Sequence, residues 1–135
     1  MKEPNIIKEP IPAELDQLAK ETVDAAFKVH SNLGPGLLEG IYEVCLVYEL
    51  HKRGIKVQQQ VTLPVIYDGL RLEAGLRLDL LVEEKMIVEL KTVEMILPIH
   101  QAQLLTYLKL TGQRLGLIIN FNVVRIKEGI KRIVL

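Results

Sequence analysis

Residues 77–91 read RLDLLVEEKMIVELK, and three of them have side chains that could do chemistry together: Asp79, Glu89 and Lys91. In strand alternation Met86, Val88, Leu90 and Thr92 face one side, and Ile87, Glu89, Lys91 and Val93 face the other. An E-x-K pair on a strand is ordinarily part of its solvated face. Here Ile87 and Val93 flank the charges with β-branched apolar groups. A half-buried carboxylate and ammonium must be paired, neutralised or bound to a metal.

Whether Asp79 joins Glu89 depends on the connection between their strands, because residues opposite one another in an antiparallel pair point to the same face. A two-residue loop at Glu83 and Glu84 pairs Asp79 with Val88. A three-residue loop, Glu83 to Lys85, pairs it with Glu89 directly, and this loop, or a bulge of the same effect, is the expectation. Two adjacent carboxylates with one lysine as countercharge repel each other and are costly as mere structure. With a main-chain carbonyl and waters they form an oxygen-rich site suited to Mg²⁺ or Mn²⁺. Lys91 fits beside them as a group that orients an attacking water or stabilises charge on a phosphate. The set points to phosphodiester hydrolysis. Gln103 and Tyr107, four apart on a following helix, share a face and could reach the same pocket. Glu39, on an earlier helix with Tyr42, could supply another carboxylate. The plainer readings, Tyr107 as core, Gln103 as rim and Glu39 as helix surface, stay open.

These residues need elements to hold them. Residues 1–12 carry three prolines and read as an irregular arm, and the domain proper spans 13–135. Leu15, Leu18, Thr22, Ala25, Ala26 and Val29 recur at helical spacing, giving a helix that ends before SNLGPG. A second helix runs from about Leu37 to Arg53. Leu38, Ile41, Cys45 and Tyr48 form its apolar side, while Glu39, Tyr42, Glu43 and Leu46 share another stripe, so both faces are expected to be partly buried. After Gly54 the period changes to 2: IKVQQQVTLPVIY and LRLEAGLRLDLLV read as strands around a YDG hairpin turn, with Pro64 marking an edge strand or a bulge. Pro98 opens a helix and Gly112 ends it. RLGLIINF suits a strand covered on both faces, and KRIVL one more strand. The whole is a mixed α/β domain with a helix-covered sheet.

The 49% hydrophobic and 25% charged content is globular, and no apolar run is long enough to span a bilayer. No export signal is evident at the N-terminus, so the expected location is cytoplasmic, away from membranes. The lone Cys45 reads as a packed thiol. Lysine plus arginine and aspartate plus glutamate both total 17, which argues against a uniformly basic nucleic-acid coat but allows a local basic groove. His30 and His100 stay outside the expected site.

The sequence D79…E89-L90-K91…Q103…Y107 resembles the D…(D/E)xK…QxxxY pattern of the PD-(D/E)xK nuclease superfamily, especially its RecB-like branch. GLLEGIY, with Gly36, Glu39 and Tyr42, resembles the signature of the GxxExxY proteins within that superfamily. Leu78 stands where the superfamily's proline precedes the aspartate. The resemblance implies a restriction-endonuclease-like core, a central mixed β-sheet flanked by helices. It further implies Asp79, Glu89 and Glu39 as metal ligands, a catalytic role for Lys91, Asp79 and Glu89, and supporting or substrate-binding roles for Gln103, Tyr107 and Tyr42. The expected function is a metal-dependent nuclease acting on DNA in preference to RNA. A homodimer is a further expectation, as for resolvase-like members. The alternative is a catalytically silent nucleic-acid-binding or protein-interaction module that retains the fold.

Overall fold

The structure, a computed structural model, describes residues 9–135. Residues 1–8, and with them most of the expected arm, lie outside the described residues; residues 9–12 form neither helix nor strand. The elements are α1 (Ala13–Leu33), α2 (Glu39–Lys52), β1 (Val57–Tyr67), β2 (Leu70–Val82), β3 (Met86–Lys91), α3 (Pro98–Thr111), β4 (Leu115–Asn120), a 3₁₀ turn (Ile126–Gly129) and β5 (Ile130–Val134).

The strands form one sheet in the order β1-β2-β3-β4-β5. All neighbours are antiparallel except β3 and β4, which are parallel and therefore need the crossover that α3 provides. One apolar core lies between the sheet and α1 and α2. It includes Leu80, Val82, Met86, Val88, Leu90, Leu115, Leu117 and Ile119. A second, smaller core lies under α3, where Leu104 and Leu108 meet Leu76, Leu78, Ile87 and Ile118. Strand β4 is buried at every residue, which is why RLGLIINF carries no polar alternation.

Two helix boundaries differ from expectation for visible reasons. Helix α1 continues through Ser31–Leu33 because Asn32 Nδ2 donates to Lys28 O at 2.7 Å, and Gly34, at φ +70°, closes the helix by donating its N–H to His30 O. Helix α2 starts at Glu39, two residues late, because Leu38 is extended, and Leu37 N–H before it donates to the Tyr42 hydroxyl (3.1 Å). Helix α2 also turns its expected apolar side outward. Tyr42, Leu46, Val47 and Leu50 are buried, whereas Leu38 is 79% and Tyr48 63% exposed; Cys45 is half-buried against the core.

Tyr42 has its contacts inside the fold. It is fully buried, its ring stacks on Phe121 with centroids 4.5 Å apart, and its hydroxyl donates to Gly34 O at 2.6 Å. It fastens the Gly34–Leu37 turn to the end of β4. The stack adds about 0.5–1.5 kcal/mol beyond area burial. Tyr42→Phe keeps the stack and loses both hydroxyl bonds, so urea denaturation should show a loss of about 1 kcal/mol with the fold retained. An unchanged midpoint would mean the turn does not depend on this tie.

Candidate active site

The connection between β2 and β3 is the three residues Glu83–Lys85, with Val82 opposite Met86 and Leu80 opposite Val88. Glu83 and Glu84 both adopt positive φ (51° and 56°), and Lys85 N–H closes the turn onto Val82 O at 3.0 Å. The third loop residue sets the register and brings Asp79 level with Glu89.

The paired ladder nevertheless stops at Leu80 and Val88. Leu78 belongs to the core under α3 and Leu80 to the core under α1 and α2, although residues two apart share a face of a regular strand. The pleat is broken between them, at Asp79. Strand β1 is broken at the matching place: Gln59 faces Leu80, Val61 faces Leu78, and Gln60 between them has φ +50°. Where the strands part, side chains replace the ladder. Asp79 N–H donates to Glu89 Oε2 at 2.8 Å, and Leu90 N–H donates to Asp79 Oδ2 at 2.8 Å.

The two acids sit in poor solvation. Glu89 is 5% exposed and Asp79 half-buried. Burial first, and the Asp79 charge second, push the Glu89 carboxyl up to about 7, against the backbone bond and Lys91 that favour ionisation. Burial also raises Asp79, opposed by its bond from Leu90 N–H and by Lys91. Glu39, on the exposed first turn of α2, is raised by partial desolvation and then by Asp79, and Lys91 opposes the shift. Tyr107 on α3 is raised by burial and then by Glu89 and Asp79. Asp79, Glu89, Lys91, Glu39 and Tyr107 therefore share one field, with α2 and α3 bordering the break. Gln103 lies one turn before Tyr107 on α3 and is exposed.

A divalent cation fits the donor chemistry in a specific way. The backbone bonds use one oxygen of each acid, leaving the other for a ligand. Among the described residues no three His, Cys, Asp or Glu side chains gather as a metal cluster, while Glu39 stands within the electrostatic reach of Asp79 and Lys91. Two acids with water completing the shell is the arrangement Mg²⁺ usually takes.

Several contributors were not singled out from the sequence. Glu43, one turn after Glu39, accepts from Gln59 Nε2 (3.0 Å) and Gln60 Nε2 (2.8 Å), so both neighbours on β1 reach one carboxylate at the broken pleat. The run Gln58–Gln60 was the available signal, an amide-rich interruption in an apolar strand. Arg77, two residues before Asp79 on β2, opposes the upward shifts of Asp79 and Tyr107 electrostatically. The histidines have other employment: His30 Nε2 bonds Val123 O at 2.7 Å, and His100 Nδ1 accepts Leu97 N–H at the start of α3. A mostly apolar cavity of about 520 Å³ between the β1–β2 hairpin and α3, lined by Val61, Leu63, Leu76, Leu78 and Leu110 with Glu84 and Gln113 among its polar residues, does not include Asp79 or Glu89.

A helix-flanked mixed sheet with a carboxylate pair and a lysine where its strands part defines a restriction-endonuclease-like α/β protein. A family model of the PD-(D/E)XK nuclease superfamily matches residues 16–133, and the chain belongs to that superfamily. No curated protein and no solved structure matches it.

The raised Glu89 carboxyl gives a stability test. A carboxyl raised on folding contributes stability that is full below its ordinary value of 4.5 and is lost as pH rises through about 7. In chelator-treated protein, melting temperature should therefore fall between about pH 5 and pH 8, and Glu89→Gln should flatten the slope and melt higher at the upper pH. A variant with the parent's slope would show that Glu89 is not the group responsible.

Proposed function

We propose that the chain is a divalent-metal-dependent nuclease that hydrolyses phosphodiester bonds of DNA in preference to RNA. The observation that carries the reading is the Asp79–Glu89 pair, held face to face by bonds to each other's strands, with Lys91 two residues on. Asp79 and Glu89 would hold Mg²⁺ or Mn²⁺, with Glu39 acting from the border of the site. Such an ion polarises a phosphate and lowers the pKa of a bound water. Lys91 stabilises charge on the phosphate or orients the attacking water. Tyr107 and Gln103 line the α3 side, where they can contact the nucleic-acid backbone. Gly36, Glu39 and Tyr42 support placement with the GxxExxY proteins of the RecB-like branch, and residues 13–135 are read as one nuclease-like domain. Among the described residues no helix is long and apolar enough to cross a membrane. A cytoplasmic homodimer is part of the same reading.

Single-stranded, duplex and branched DNA, and RNA, incubated with Mg²⁺ or Mn²⁺ should reveal at least one cleaved substrate. Asp79→Ala and Lys91→Ala should each lower the rate by about 100-fold or more. Nucleic acid bound equally by all three proteins, with no cleavage by any, would instead establish the silent binding module.

A further inference from the structure

Beyond the acids and the lysine, the end of β4 holds a buried polar side chain with an unusual set of bonds. Asn120 is 1% exposed. Its Oδ1 accepts Val93 N–H (3.1 Å) and Asn122 N–H (3.2 Å), and its Nδ2 donates to Val93 O (2.8 Å). One side chain thus satisfies both main-chain groups of Val93 and ties the segment after β3 to the segment after β4. Burying an amide costs free energy unless it is hydrogen-bonded, and removing the side chain would leave both Val93 groups unpaired.

The location gives the tie its meaning. Asn120 is the register partner of Lys91 across the parallel β3–β4 pair, and Phe121 N–H donates to Lys91 O at 3.0 Å. By alternation Asn120 leaves the same face as Ile118, and Lys91 the same face as Ile87, and both of those residues belong to the core under α3. Lys91 is the last residue of β3, and without a restraint just beyond it the strand end frays. The bonds to Val93 close that end two residues after the lysine. We propose that Asn120 is a positioning residue: it fixes the main chain from which Lys91 projects, and so sets where the ammonium stands relative to Asp79 and Glu89. The inference rests on the nuclease reading for its catalytic consequence, but not for its structural one.

A double-mutant cycle tests it. In the wild-type background Asn120→Ala should lower kcat by about 10- to 100-fold, the scale of a displaced catalytic group, with KM changed far less. In the Lys91→Ala background the same change should cost little further, because the group it positions is gone. Asn120→Asp keeps the two accepted bonds but turns a carboxylate oxygen toward Val93 O, so it should lower kcat at least as far as alanine; Asn120→Ser, uncharged and able to bond one Val93 group, should fall between wild type and alanine and serves if alanine fails to fold. Equal losses in both backgrounds would overturn the proposal and leave Asn120 a structural clamp, as would full activity in a folded Asn120→Ala. If wild type cleaves nothing, the nuclease reading fails and a second readout decides this one. After ¹³C reductive methylation, the NMR signal missing in Lys91→Arg belongs to Lys91. It should move in the Asn120 variant, and an unmoved signal would overturn the positioning role.

Discussion

Everything at the candidate site of this molecule depends on one substitution of partners. Where β2 and β3 separate, the backbone groups that would have bonded across the ladder are met by carboxylates from the opposite strand. Each acid accepts a main-chain N–H, a charge-assisted bond stronger than a neutral one, and the separating strands are kept from fraying. The same exchange holds two like charges close together in a poorly solvated place. The closed strand end and the crowded carboxylates come from one pair of bonds.

The surrounding elements bracket that opening. Tyr42 and Phe121 join the start of α2 to the end of β4, and the turn before α2 hangs on the Tyr42 hydroxyl. Glu39 is thereby presented at the first turn of α2, while Glu43 holds β1 through Gln59 and Gln60 at the point where its own pleat breaks. Helix α3 closes the other side and contributes Tyr107. The crossover through α3 makes β3 and β4 parallel, so Lys91 and Asn120 finish their strands at the same end of the sheet.

How much of this could be read from the sequence depended on how local the cause was. The three-residue turn and the side-by-side acids followed from strand parity, because their determinants lie within residues 79–89. Pro64 correctly marked irregularity in an edge strand: the β1–β2 register shifts between Leu63 and Val65, opposite Glu73–Gly75, and Gly75 leaves only 2.5 Å between a would-be Cβ and Val65 Cγ2. The broken pleat at Asp79 was not legible, since it shows only when Leu78 and Leu80 are found in different cores. The stripe of α2 with the more apolar composition, Leu38, Ile41, Cys45 and Tyr48, largely faces outward, while Tyr42 and Leu46 of the mixed stripe are buried together with Val47 and Leu50; the sheet, not the local composition, chose the face. Tyr42 was read as a site residue because its motif is shared, whereas its hydroxyl is used entirely within the fold.

The short Glu83–Lys85 turn has a consequence for chain entropy. Closing a loop costs more as the loop lengthens, and Asp79 and Glu89 are brought together by a single hairpin. The unfavourable meeting of two carboxylates is thus assigned to a contact with little closure cost. The contact between Val93 and Asn120 spans the whole α3 crossover, and its larger entropic cost falls on uncharged partners that gain three hydrogen bonds together with the neighbouring Asn122. The hydrogen-bonded pair of acids is joined across a short loop, and the long crossover is bridged by uncharged groups that attract.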